Sequence, residues 1–412
     1  MSTKLAIHGG APVRTAPLPI PTPGAAMLGP EEAEAAMEVI RARSPFRYYG
    51  FGVLDRVKAF EGEFARMLGA GHALGVASGT AALVCALKAC GIGPSDKVIV
   101  PACTFIATAG AVICAGAVPV FCDIDESFNM DPSKLAAAAD PYTRAVMPVH
   151  ILGAPCRMDE IMAEARRLGL MVIEDAAQSM GCTYQGRYCG AFGDVGAFSL
   201  QAHKMITTGE GGVVVSDDAR LYERAVRYHD QGGLREPDGL PGDELFVGQN
   251  YRMSEITGAV ACTQLRKLDG ILAALRQIKK TIKDELKGVV PFRRIDDEAG
   301  DAANTLMMLF PSADIRAAFE TALTAEGIEC GCLYGGRPVY MHPQIFGQKA
   351  AERGGFPFNQ FAEPVVYTED MCPNAVEIMP RNLIVQFSPL FSEEDTEDVI
   401  TAIKKVAEAV LE

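Results

Sequence analysis

The stretch Ala73-Leu-Gly-Val-Ala77 runs straight into Ser78-Gly79-Thr80-Ala-Ala82-Leu-Val-Cys-Ala-Leu-Lys-Ala89, a short apolar segment followed at once by a helical pattern. A segment apolar on both faces is a strand covered on both sides, and the helix after it supplies one of the covers. Working outward, the same alternation recurs at 97–100, 118–123, 145–149, 172–174, 195–200 and 212–215. Strands alternating with helical patterns predict the α/β class, with a mostly parallel sheet flanked by helices. The last two runs are joined by a loop, which predicts that the final strand is reversed.

Outside this unit the pattern changes. Residues 9–30 are rich in proline and glycine and predict an irregular arm of the kind that packs on a partner. Helical spacing follows from Pro30 to near Arg43 and from Val57 to Leu68, with Phe46-Arg47-Tyr48-Tyr49-Gly50-Phe51-Gly52 as a loop between them. A helix over 218–229 leads to an exposed loop over 230–248, and a long helix starts at Ser254 and continues through the 270s. Strands over 292–295 and 305–310 and helices over 313–326 and 393–410 predict a smaller α+β domain. The expected division is an arm (1–30), a large domain (31–282) and a small C-terminal domain (283–412).

A chain of 412 residues is longer than one core usually serves, in keeping with that division. Apolar residues at 49% and charged residues at 22% exclude disorder and fibrous repeats. With 38 basic against 52 acidic residues, the net charge of −14 argues against nucleic-acid and anionic-membrane partners. The twelve cysteines contain no CxxC pair and read as reduced thiols, so no metal is expected. The N-terminal residues lack an apolar signal core and no window approaches eighteen apolar residues, which predicts a cytoplasmic chain.

In open α/β sheets ligands bind at the carboxyl ends of strands, and four such places carry polar residues. Ser78-Gly79-Thr80 opens a helix, where unpaired N–H groups suit a phosphate, although an ordinary N-cap explains that segment alone. Glu174-Asp175-Ala-Ala-Gln178 sets a carboxylate at a strand end. Ser199-Leu200-Gln201-Ala-His203-Lys204 leads into Thr208-Gly-Glu-Gly-Gly212, and Pro101-Ala-Cys103-Thr104-Phe105-Ile-Ala-Thr108 places an aromatic just past a strand.

Together these segments resemble the DegT/DnrJ/EryC1/StrS family of sugar and cyclitol aminotransferases, which bind pyridoxal 5′-phosphate (PLP) on the fold of aspartate aminotransferase. The resemblance covers residues 72–265. Ser-Gly-Thr-Ala-Ala at 78–82, Val-Pro-Ala at 100–102, Glu-Asp-Ala-Ala-Gln at 174–178, Gly-Asp-x-Gly at 193–196 and Lys204 ahead of Ile-Thr-Thr-Gly-Glu-Gly-Gly occur in the family's order and spacing. Gly248-Gln-Asn250-Tyr-Arg252-Met253 extends it more loosely. The implied architecture is a fold-type I PLP-dependent transferase.

By that resemblance Lys204 matches the lysine that forms a Schiff base with PLP, and Asp175 the acid paired with the pyridine nitrogen. Gln178 matches a side chain near the ring hydroxyl, and Phe105 the aromatic stacked on the ring. Gly79, Thr80 and Ser199 match the phosphate cradle, with Ser78 counted among the cofactor-binding positions. Asn250 matches a residue reaching the phosphate from a neighbouring subunit, which implies a homodimer with shared active sites. The implied reaction is a ping-pong transfer from an amino-acid donor, glutamate or glutamine, to the carbonyl of a keto-sugar, cyclitol or sugar acid. A PLP-dependent sugar dehydratase or epimerase, or a catalytically silent PLP-binding regulator, are the alternatives on the same fold.

Leu200 stands where the family often has phenylalanine, and Cys103 at a position often aromatic; neither change removes a catalytic group. His203 reads as a packed or capping histidine. The segments around Phe46-Arg47-Tyr48 and 249–255 are similar to the branch that includes 8-amino-3,8-dideoxy-octulosonate aminotransferases, whereas 334–343 resembles a substrate loop of other branches. Arg47, Arg252, Arg337 and His342 are therefore candidates for holding an acidic acceptor or the donor carboxylate, with an ion pair as the equal alternative for each.

Overall fold

A computed structural model of the chain describes residues 4–232 and 245–411. Its centre is a seven-stranded sheet built from β1 (His72–Val76), β2 (Lys97–Pro101), β3 (Val118–Cys122), β4 (Thr143–Val146), β5 (Met171–Asp175), β8 (Val195–Ser199) and β9 (Gly212–Ser216). A hairpin of β6 (Thr183–Tyr184) and β7 (Arg187–Tyr188) lies between β5 and β8 in sequence. The spatial order is β1-β9-β8-β5-β4-β2-β3. Only β9 runs against its neighbours, pairing antiparallel with both β1 and β8, as the loop connection predicted.

Alternation along each strand feeds two apolar layers. Val172 and Phe198 point into one, with Phe60 and Phe64, while the adjacent Ile173 and Ala197 point into the other. The helix Gly79–Ala89 has eight buried residues because it lies between the sheet and the helix Ala219–His229. That position explains why its sequence is apolar all round. On the opposite face the long helix Glu255–Glu285 packs on the helices Pro30–Arg41 and Arg56–Leu68.

The C-terminal part is organised by an antiparallel pair, β10 (Thr305–Leu309) and β11 (Asn382–Gln386), covered by the helices Ala313–Ala325 and Glu393–Val410. The sequence reading did not foresee β11. The strand expected over 292–295 is reduced to a single bridge between Phe292 and Met308. One apolar residue between Pro291 and two arginines cannot continue a ladder.

The proline-rich arm, expected to pack on a partner, folds onto its own C-terminal part. The N–H groups of Ala6 and Val13 donate to the two carboxylate oxygens of Glu326 at 2.8 and 3.1 Å. Arg14 pairs with Asp395 and Asp398 at 2.7 and 2.8 Å. Of the loop expected over 230–248, residues 233–244 lie outside the described residues, as do arm residues 1–3 and residue 412 of the C-terminal part. No helix among the described residues is long and apolar enough to cross a membrane.

Candidate active site

The carboxyl ends of β1, β5 and β8 open on one cavity of about 420 Å³. Asp175, the last residue of β5, is 3% exposed. Burial pushes its carboxyl group up from the ordinary range; the Thr108 hydroxyl, the Ala177 N–H and the Lys204 charge oppose that shift. Thr108 Oγ1 donates to Oδ2 at 2.8 Å and Ala177 N–H to Oδ1 at 3.1 Å. The preceding Glu174 is fully buried and accepts the N–H groups of Gly190, Phe192 and Gly193 at 2.8, 2.6 and 2.7 Å. It also meets His150 Nε2 at 3.0 Å, while His150 Nδ1 accepts from Cys156 N–H. This network locks the strand end that presents Asp175.

Lys204 follows β8 in a turn closed by its own N–H on the Gln201 carbonyl at 2.9 Å. Among the described residues its Nζ has no hydrogen-bond partner. Burial lowers the amine's pKa, and only the Asp175 charge pulls it back. A share of Lys204 is therefore a neutral nucleophile nearer neutrality than an ordinary lysine.

Opposite lies the N-terminus of the helix Gly79–Ala89. Ser78 Oγ caps it by accepting Ala81 N–H at 3.1 Å, which leaves the earlier N–H groups for a ligand. Two glycines make the approach close enough. A methyl group on Gly79 would lie 2.7 Å from Ser199 Cβ, and one on Gly212 would lie 2.3 Å from the Ser78 carbonyl oxygen. The capped helix end thus also leaves N–H groups in reach of an anion.

Of the expected residues, Ser78, Gly79, Thr80, Phe105, Asp175, Gln178, Ser199 and Lys204 all line this cavity. Asn250 does not; it is exposed, in an antiparallel bridge with Asp230. The four substrate candidates also lie elsewhere. Arg47 is engaged by Glu61 and by the Gly75 carbonyl, and Arg252 by Asp230. Arg337 is exposed and His342 half-buried, neither on the cavity wall.

His203 corrects its expectation. It is exposed and borders the cavity, and Gln201 performs the capping, its Oε1 accepting His203 N–H at 2.9 Å. The structure adds Thr108, Glu210, Asn304, Tyr334 and Gln386 to the wall. Thr108 had a local signal in its Thr-x-x-x-Thr spacing with Thr104. Asn304 and Gln386 had none, because they arrive just before β10 and at the end of β11, from the far end of the chain.

The model of the DegT/DnrJ/EryC1/StrS aminotransferase family matches residues 49–404. The chain belongs to this family. Among relatives, the spore coat polysaccharide biosynthesis protein SpsC of Bacillus subtilis is 35% identical over 402 residues, spanning 92% of this chain and 95% of that protein. An L-glutamine:2-deoxy-scyllo-inosose aminotransferase of Streptomyces paromomycinus is 32% identical, spanning 98% of each. The X-ray structure of the aminotransferase from Psychrobacter cryohalolentis superposes with a TM-score of 0.81 at 28% identity, covering 97% of this chain and 100% of that one. DegT/DnrJ/EryC1/StrS aminotransferases are PLP enzymes, and this family member carries groups that suit the cofactor. The glycine-lined helix N-terminus fits a phosphate, the buried carboxylate fits a protonated ring nitrogen, and the unpaired amine fits an aldehyde.

Proposed function

We propose that this aminotransferase binds PLP in the described cavity, with Ser78, Gly79, Thr80 and Ser199 at the phosphate, Phe105 against the ring, Gln178 near the ring hydroxyl and Asp175 at the ring nitrogen. The observation that carries the reading is the juxtaposition of a buried carboxylate and a lysine amine without a hydrogen-bond partner among the described residues, across one cavity from a helix N-terminus. When bound, PLP supplies an electrophilic aldehyde and an electron-withdrawing pyridinium ring. Asp175 holds a proton at the ring nitrogen. Lys204 Nζ would anchor the cofactor, and once released would serve as the base that takes the donor's α-proton and the acid that delivers it to the former aldehyde carbon, across the bridging nitrogen.

Glutamate or glutamine is the proposed donor; the relative from Streptomyces paromomycinus uses L-glutamine by name. The proposed acceptor is the ketone of a hydroxyl-rich ring, a keto-sugar or cyclitol. Support comes from the wall itself, where Asn304, Gln386, Gln201 and Thr80 offer amides and a hydroxyl and no arginine is present among the described residues. Neutral amide and hydroxyl groups match sugar hydroxyls. Homodimerisation, with Asn250 reaching the partner's phosphate, is part of the proposal and is supported by Asn250 lying exposed and away from its own cavity.

The test is a half-reaction screen. Protein loaded with PLP should convert glutamate or glutamine to one equivalent of keto acid, and then aminate keto-sugars or cyclitol ketones, read by mass spectrometry. Lys204→Ala should lose both half-reactions. A variant retaining full turnover, or a purified protein without the visible absorption of a lysine-linked cofactor, would sink the proposal.

A further inference from the structure

The side-chain amide of Gln178 is gripped from two sides by residues with left-handed backbones. Leu152, at φ 51° and ψ 38°, donates its N–H to Gln178 Oε1 at 3.1 Å. An N–H can meet only the oxygen end of an amide, so Gln178 Nε2 faces the other way. There it lies 2.9 Å from the hydroxyl oxygen of Tyr334, at φ 52° and ψ 28°. Side chains on left-handed residues are costly, and the fold imposes two around one amide. The Tyr334 loop is tied to β11 by Leu333 N–H, which donates to Asn382 Oδ1 at 2.8 Å.

These contacts decide where hydrogens point. An amide nitrogen accepts no hydrogen bond, so the phenol oxygen is the acceptor and the phenol's own hydrogen must be directed elsewhere. Among the described residues no protein acceptor receives it, and Tyr334 borders the cavity with Asp175 and Lys204. Gln178 Nε2 keeps a second hydrogen in the same position. Burial pushes the Tyr334 phenol well above its ordinary range, so it remains a donor at any working pH.

We infer that Tyr334 and Gln178 form a two-donor site for one electron-rich oxygen bound beside Asp175 and Lys204, with Tyr334 brought by the C-terminal part of the chain. The inference rests on the reading that this cavity takes PLP and a carbonyl acceptor. These supply two such oxygens: the ring hydroxyl of the cofactor and the carbonyl oxygen of the acceptor.

Tyr334→Phe removes one donor and keeps the ring. Wild type and Y334F, loaded with PLP, are titrated by the absorption of the lysine-linked cofactor, and the two half-reactions are timed separately. If the oxygen is the cofactor's, the midpoint rises by about one pH unit, because a ring oxygen stripped of a donor holds the neighbouring proton to higher pH. If it is the acceptor's, the midpoint stays and the acceptor half-reaction alone slows by about tenfold or more. An unchanged midpoint with unchanged rates overturns the inference. A wild-type protein that takes up no PLP overturns the site reading and the inference with it. Should Y334F not fold, 3-fluorotyrosine at position 334 strengthens the same donor and shifts the midpoint or the acceptor rate in the opposite sense; no shift counts against the site.

Discussion

Thr108 Oγ1 donates to Asp175 Oδ2 at 2.8 Å, and Thr104 Oγ1 sits 2.6 Å behind that same hydroxyl. Asp175 is buried and its acidity is weakened by that burial, so the two-threonine chain helps keep the carboxylate ionised. Thr108→Val preserves shape and removes a charge-assisted bond of roughly 1.5–3 kcal/mol. Turnover should fall about tenfold to hundredfold, and the acid limb of the kcat profile should move to higher pH. A profile superimposable on wild type would show that Asp175 does not depend on Thr108.

Gly79 admits the end of β8 to the helix N-terminus. In Gly79→Ala the new methyl meets Ser199 Cβ at 2.7 Å and Oγ at 3.0 Å, so the serine must shift. Overpacking of this kind costs about 1–3 kcal/mol, and here it falls on the proposed phosphate cradle. PLP affinity, measured by fluorescence or by dialysis against the cofactor, should weaken about tenfold while the melting temperature drops by only a few degrees.

His229 gives the fold a pH dependence whose sign can be worked out. The side chain is fully buried, and burial together with the nearby Arg47 cation lowers its pKa from 6.5 to about 3. The ring is neutral in the fold, with Nδ1–H on the Val226 carbonyl and Nε2 accepting the Tyr48 hydroxyl at 2.8 Å. An unfolded histidine takes up a proton below about pH 6.5 that the folded one refuses. Its contribution is therefore complete above that pH and is lost as pH falls toward 3, at about 1.4 kcal/mol per unit. His229→Gln should flatten the slope of unfolding free energy against pH by roughly one proton between about pH 6.5 and 4.5. Denaturant titrations across that window measure it.

Lys279 and Asp301 form a buried ion pair, 5% and 3% exposed, that fastens the long helix Glu255–Glu285 to the segment before β10. Arg293 is buried as well, and among the described residues its Nε and Nη2 have no hydrogen-bond partner. The Asp301 carboxylate thus acts on both cations. Asp301→Asn should cost about 3–5 kcal/mol in denaturant unfolding, and the double change Lys279→Met with Asp301→Leu should recover only the part due to Lys279, because Arg293 still loses the same carboxylate. Equal losses in both variants would contradict this account.

Much of the large sheet was legible because its strands are apolar on both faces, a pattern set by local sequence. β9 was read as reversed from its loop, and the residues at the strand ends were read as a site. β11 was not legible, since Asn382-Leu-Ile-Val-Gln386 becomes a strand only by pairing with β10, more than seventy residues earlier. Arg47 and Arg252 lie off this chain's own cavity wall for a related reason. Arg47 and Arg252 meet Glu61 and Asp230, and whether a cation meets a ligand or a carboxylate depends on which carboxylate packing brings near.

The sequence by itself determined the α/β class, the strand ends that carry Ser78, Asp175 and Ser199, and the spacing that singles out Lys204. Those features are local: a strand's period, a helix's first turn, a glycine cluster. Only the tertiary structure decided that these residues share one cavity, that its wall is closed by Asn304, Tyr334 and Gln386, and that no arginine among the described residues faces it. A cavity wall is assembled from segments hundreds of residues apart, and the burial that weakens Asp175 as an acid and Lys204 as a base exists only once they are packed together.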